Sequence, residues 1–192
     1  ANEPPRLRCV HDRVSQSKTP CTECPRKPCA THFLLSHLHL LSLMMENPLL
    51  DFSGLPRFAE IEPHHVEPAL DELLAGNRAR IIQLESRVSE ANWHNFAVPL
   101  ANLEEKLARL WATVSHLNAV RDSDELRCAY EASLPKWTEY HTEVGQNHDL
   151  FVGFKRIEAS SEFTTLDQAK QKIIRNAIRD FRLSGVELKG AA

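Results

Sequence analysis

The chain has almost no excess of charge: 23 basic residues stand against 26 acidic ones, a formal net charge of −3 over 192 positions. A balance so close to zero supplies no basic face, so neither nucleic acid nor an anionic membrane is expected as a partner. Long hydrophobic runs are missing as well. The most apolar stretch, residues 30–45 (A-T-H-F-L-L-S-H-L-H-L-L-S-L-M-M), is shorter than the roughly 20 apolar residues that a membrane span needs, and three histidines interrupt it. No small-residue cleavage site follows it, which excludes a signal peptide; the expected location is the cytoplasm. Aromatic residues make up only 7%, but the hydrophobic total of 42% is enough for a packed core. The length allows one domain, or one domain with an appendage.

Glycine is absent before residue 46, and that same segment holds four of the five cysteines and five of the eleven prolines. It carries six basic and three acidic side chains, whereas the remainder is net acidic. Two compositions are therefore joined: an irregular Cys/Pro/His-rich arm over 1–45 and a helical domain over 46–192. The arm has no helical or alternating period and reads as disordered or as an upstream extension, with Met44 or Met45 as the natural start. Cys21-x-x-Cys24 has the spacing with which two thiolates grip one zinc ion. The rest of the set would have to come from Cys9, Cys29 or a histidine, and the second half of a zinc ribbon is missing. No metal ligand is assigned. Disulfides fit poorly with a cytosolic chain.

Beyond Glu46 the pattern is helical. Asn47 to Phe58 reads as an extended strap, its prolines opposing a helix and its Leu and Phe residues tucked against the core. Val66, Leu70, Leu73, Leu74, Ile81, Leu84 and Val88 then recur with a 3.6 period, which predicts a first helix to about Ser89. His64 and His65 are adjacent, so they diverge by about 100° and do not converge on a metal. A second helix follows Asn92-Trp93, capped by Asn92 or Asn95 and ending near Asn118. Leu100, Leu103, Leu107, Leu110, Trp111, Val114 and Leu117 line it, while Glu104, Glu105, Lys106 and Arg109 face water. His116 lies beside this stripe as a packing residue. A third helix, capped by Asp122 with Glu125 closing a capping box, presents Leu126, Tyr130, Leu134, Trp137, Tyr140 and Val144. It is the densest in aromatic residues, and the other helices are expected to lean on it. Cys128 behaves there as a small buried hydrophobe. A shorter helix with Leu150, Phe151, Phe154 and Ile157 breaks at Ala159-Ser160-Ser161. Thr165 and Gln168 open the last one, which carries Ile173, Ile174, Ile178 and Phe181 and stops at Gly185.

Four segments resemble a known family. Asn47-Pro48-Leu49-Leu50, Val114-Ser115-His116-Leu117-Asn118, Leu126-Arg127-x-Ala129-Tyr130-Glu131 and Arg179-Asp180-Phe181-x-Leu183-Ser184-Gly185-Val186 occur in this order, at similar spacing, in bacterial members of the thimet oligopeptidase family of zinc peptidases. The resemblance runs from about Glu46 to Leu188. It implies an all-α fold: an antiparallel helical bundle forming the N-terminal wall of a deep channel that admits short peptides and excludes folded proteins. It also implies zinc as the cofactor of the full-length enzyme.

The family's chemistry resides in H-E-x-x-H, where two histidines one turn apart bind zinc and the glutamate polarises the attacking water. In this chain no histidine is followed by glutamate. No catalytic, cofactor-binding or metal residue is therefore assigned, and the chain alone is expected to be inactive. Its ending at Val186-Glu187-Leu188 and beyond lacks a cap and reads as cut short, with a C-terminal catalytic domain as the missing partner. Trp137, Tyr140 and His148 could face the channel, but their spacing fits core packing better. The other reading is a free-standing protein-interaction module with a small zinc site in its arm. A wall segment would expose a contiguous apolar patch; a self-sufficient module would bury its stripes.

Overall fold

A computed structural model describes residues 47–188. The arm over 1–45, with Cys21 and Cys24, lies outside them. The described residues contain no strand and form six α-helices: α1 (Val66–Glu85), α2 (Val98–Val120), α3 (Asp124–Gly145), α4 (His148–Ala159), α5 (Ser161–Thr165) and α6 (Gln168–Leu183).

The stripes seen in the sequence set the core. Leu70, Leu74, Ile81 and Leu84 of α1 meet Leu100, Leu107, Leu110, Val114 and Leu117 of α2 in one buried cluster. Each fully buried leucine contributes roughly 1.5–3 kcal/mol. Polar pairs report the helix directions. Lys136 on α3 bonds Asp71 at 2.8 Å and reaches Glu67 at 3.4 Å on α1. Further along both helices Arg78 makes a two-pronged contact with Glu143 (2.8 and 3.0 Å). Residue numbers rise together, so α1 and α3 run parallel, with α2 antiparallel to both. By the same logic Glu158–Arg175 and Phe151–Phe181 make α4 and α6 an antiparallel pair. That pair joins the end of the three-helix bundle near the α1–α2 turn.

The organising element is α1 rather than α3. α1 packs on α2, α3 and α4, and it buries Val66, Ala69, Leu70, Leu74, Asn77, Ile81 and Leu84. α3 buries only Leu126, Ser133 and Tyr140 completely. Tyr140 apart, its aromatic side chains, Tyr130 and Trp137, stack along one side of the bundle instead of filling the centre, and Leu134 is 39% exposed. Pro135 sits inside α3 at an exposed position, and its missing N–H leaves the Glu131 carbonyl without the usual helical donor.

Helix boundaries shift from the expected positions for local reasons. Ser123, not Asp122, caps α3 by accepting from Leu126 N; Asp122 pairs with Arg127. Asp167, not Thr165, caps α6 by accepting from Lys170 N at 2.9 Å, because Thr165 still belongs to α5. Asn92 caps as expected, bonding His94 N and Asn95 N, but a single π turn (Trp93–Ala97) precedes α2. α1 ends at Glu85, and Val88 belongs to a separate 3-10 turn. α2 continues to Val120. Gly185 terminates α6 with φ +88°. Gly185 N donates to Arg182 O and Val186 N to Phe181 O, closing the carbonyls that a helix end leaves open. The strap is not wholly extended: Asn47 caps one 3-10 turn, Pro48–Leu50, and buries Leu49. Leu55 and Phe58 stay exposed instead of tucking in.

Candidate functional site

No three His, Cys, Asp or Glu side chains among the described residues converge as metal ligands. The histidines are used locally. His65 Nδ1 accepts from Glu62 N at 3.0 Å, and His64 lies 3.3 Å from the Glu62 carboxylate. Burial holds the His65 imidazole below its ordinary pKa, helped by the neighbouring His64 and opposed by Glu62. His116 is exposed, its ring edge-on to Phe58 at 5.6 Å. Cys128 is half-buried rather than fully enclosed. The donor set on these helices does not fit the zinc site of a peptidase, and no bond-breaking chemistry is built from it.

What the helices do build is a polar tie in the core. The fully buried Tyr140 donates to Glu104 Oε1 at 3.0 Å and accepts from Asn77 Nδ2 at 3.3 Å, joining α1, α2 and α3. Burial raises its phenol pKa well above the ordinary range, and the Glu104 charge adds to the rise. Asn77 and Glu104 are not legible as partners in the sequence, where Glu104 reads as a solvated charge. A signal existed for Asn77, since positions 70, 74, 77, 81 and 84 continue the apolar period of α1.

Outside this tie runs an aromatic ladder on the α2–α3 side. Trp111 stacks on Tyr130 (5.0 Å) and on Trp137 (5.3 Å), and Trp137 meets His141 at 4.0 Å. Of the three residues that could have faced a channel, Tyr140 is core, Trp137 is half-buried in this ladder, and His148 is exposed beside Phe151. At His141 the ladder opens into a groove of about 540 Å³. Its walls are α2 (Leu100, Ala101, Glu104) with Ala97 of the preceding π turn, α3 (His141, Val144) and α6 (Ile173, Ala177, Asp180), and Phe154 of α4 lines it as well. The groove exists because α6 packs on α4 and makes little direct contact with α2. Gly145 closes one end: a Cβ there would stand 2.9 Å from Ser184 Oγ. Ile173, expected on the buried stripe, is 50% exposed on the groove wall.

Comparison with known proteins identifies the family. A model of the family "Neurolysin/Thimet oligopeptidase, N-terminal domain" matches residues 70–192. Oligopeptidase A of Haemophilus influenzae is 42% identical over 146 residues, covering 76% of this chain and 21% of that protein. Oligopeptidase A of Escherichia coli is 40% identical over 144 residues, covering 75% and 21%. The probable cytosolic oligopeptidase A of Arabidopsis thaliana is 33% identical over 146 residues, covering 76% and 21%. The chain thus spans about a fifth of the length of these curated relatives. It belongs to the neurolysin and thimet oligopeptidase family and corresponds to the N-terminal region of oligopeptidase A.

Proposed function

We propose that this helical domain is a channel wall of a zinc-dependent oligopeptidase, and that hydrolysis of short peptides takes place on a part of the polypeptide not included in these 192 residues. The observation that carries the reading is the 42% identity to an oligopeptidase over 76% of the chain, in a stretch with no H-E-x-x-H. Zinc, when bound elsewhere in such an enzyme, supplies the Lewis acid and the activated water. The residues of this domain contribute shape. A three-helix bundle and the helix pair beside it, the bundle pinned by the Tyr140 tie and the Arg78–Glu143 and Lys136–Asp71 pairs, give a stiff surface that does not collapse when peptide enters. The 192-residue chain by itself is inactive, and the working enzyme is cytoplasmic. No described helix is long and apolar enough to cross a membrane.

The test uses the longer polypeptide that carries this region. It should cut a short unstructured peptide and spare a folded protein containing the same sequence, and a chelator should abolish the cleavage. Equal cutting of both substrates, or chelator-resistant cutting, would count against the proposal.

A further inference from the structure

Two helix entries in this chain are closed by the same device with different chemistry. Ahead of α2, Asn92 N donates to Asn95 Oδ1 at 2.9 Å, three residues on. Ahead of α1, at the 3-10 turn Pro63–His65, Glu62 N donates to His65 Nδ1 at 3.0 Å across the same spacing. An amide oxygen accepts throughout the ordinary pH range. An imidazole nitrogen accepts only while it is unprotonated, so this bond requires the neutral His65 ring with its proton on Nε2. A proton added to Nδ1 sets two N–H groups head to head, and the half-buried ring has to turn outward. Burial is the largest influence on this ring and holds its pKa below the ordinary 6.5; His64, its own ring 4.0 Å away, adds to the effect and Glu62 opposes it. Charged groups on the neighbouring elements are engaged with one another: Glu67 and Asp71 of α1 with Lys136 of α3, Asp51 of the strap with Ser53, and Asp122 with Arg127. Arg121 and Glu125, of opposite charge, line the hollow beside Glu62 and Pro63.

The same histidine carries the strap. Asn47 Nδ2 donates to His65 O at 2.9 Å, and Asn47 Oδ1 in turn accepts from Leu49 N at 3.0 Å. Leu50 N closes the turn onto Asn47 O at 2.9 Å. Leu49 is thereby seated, buried, in a hollow that it shares with Ile61 and Leu110. Further along, the strap is held by other means. Arg109 donates to Phe52 O at 3.2 Å, and Lys106 and Arg109 lie over the Phe52 ring at 5.7 and 5.8 Å. No histidine takes part in those contacts, so mild acid weakens one anchor and spares the other. We propose that the Pro63–His65 turn is a pH-sensitive latch for the N-terminal strap: neutral His65 holds residues 47–50 on the bundle, and a proton on its Nδ1 frees them to pivot about Phe52 and uncover the seat of Leu49. Because the folded-state pKa is lowered, the latch is fully closed above about pH 6.5 and opens as pH falls through the folded value below it. The latch is a property of this domain and is independent of where peptide hydrolysis takes place.

The experiment is amide exchange of the full 192-residue chain, read residue by residue by NMR and corrected for the intrinsic pH dependence of exchange. Between about pH 7.5 and about pH 5 the Glu62, Leu49 and Leu50 amides should lose roughly fivefold or more of their protection. Asn92, whose amide is closed by Asn95, should keep its own. His65→Asn installs at α1 the closure that α2 already uses, and in that variant all four amides should stay protected at both pH values. His64→Gln should leave the switch in place. Loss of protection that includes Asn92, or that persists in His65→Asn, overturns the proposal. So does loss at Glu62 with Leu49 and Leu50 unmoved, which uncouples the strap, and loss abolished by His64→Gln, which moves the sensor to the other ring. The unmodified chain gives a reading that needs no variant. The nitrogen shifts of the His65 imidazole should report the Nε2–H tautomer at neutral pH, and a titration midpoint below 6.5 that coincides with the loss of protection. An Nδ1–H tautomer, or a midpoint at or above 6.5, overturns the proposal.

Discussion

Gly153→Ala should destabilise this domain although it replaces a glycine in the middle of a helix. A Cβ at Gly153 would stand 2.2 Å from Phe96 Cζ and 2.5 Å from its Cε1. Phe96 is fully buried, its ring edge-on to Phe154 at 5.7 Å, and its backbone is held in the π turn capped by Asn92 and Asn95. The ring has no free direction in which to retreat, so either α4 moves outward or Phe96 leaves its rotamer. Overpacking of this kind costs about 1–3 kcal/mol or more, against a gain of up to about 1 kcal/mol in helix propensity. The net loss should be about 1–2 kcal/mol. For a domain of this size that lowers Tm by roughly 3–8 °C. Gly76→Ala is the matched control: it is exposed in α1 with nothing within 4 Å, so only the propensity gain applies and Tm should rise. The assay is thermal unfolding followed by circular dichroism at 222 nm. If both variants gain stability alike, the close packing of α4 on Phe96 is wrong. Phe96→Leu added to Gly153→Ala should recover part of the loss by freeing the ring's volume.

Three further outcomes follow from particular side chains. Tyr140→Phe removes the shared hydroxyl and leaves the Asn77 amide without that acceptor, lowering stability by about 1–2 kcal/mol in urea titrations with an unchanged m value. Because burial raises the folded-state phenol pKa, Tyr140 keeps its proton in the folded state after the unfolded chain has lost it. Its contribution is complete below the unfolded pKa of about 10 and declines as pH rises through the folded value. In a 295 nm titration the phenolate step absent from Tyr140→Phe should be a late one that coincides with unfolding; a step in the ordinary range contradicts the buried tie. Asp167→Ala should lower Tm measurably and Thr165→Ala should leave it nearly unchanged, which separates the observed α6 cap from the expected one. The Asp167 carboxyl is held below its ordinary pKa by the backbone N–H of Lys170, so this difference should fade as pH drops through the acid range.

The sequence made the stripes legible and the arrangement of helices less so. α1 and α2 were readable because leucines at 3.6-residue spacing leave one solution for the buried face, and Gly185 marked its turn because a φ of +88° is open to few other residues. α3 drew too much weight. Its aromatic residues suggested a hub, yet a side chain as wide as Trp137 packs well along a flank, and the centre went to the narrower leucines of α1. The caps moved because two nearby oxygens, Asp122 and Ser123 or Thr165 and Asp167, compete for one helix start, and a choice of one or two residues depends on the preceding turn. The groove was not readable at all. It arises because α6 lies on α4 instead of α2, a tertiary choice that leaves Ile173 half in water without altering the periodicity of α6.

Purified 192-residue protein shows whether this domain, as proposed, frames peptide hydrolysis without performing it. Incubated with zinc and a quenched fluorogenic peptide, then desalted for metal analysis, the chain should give no cleavage above buffer and retain less than about a tenth of a molar equivalent of zinc. Chelator-sensitive turnover that co-purifies with one tightly held zinc per chain would contradict the claim.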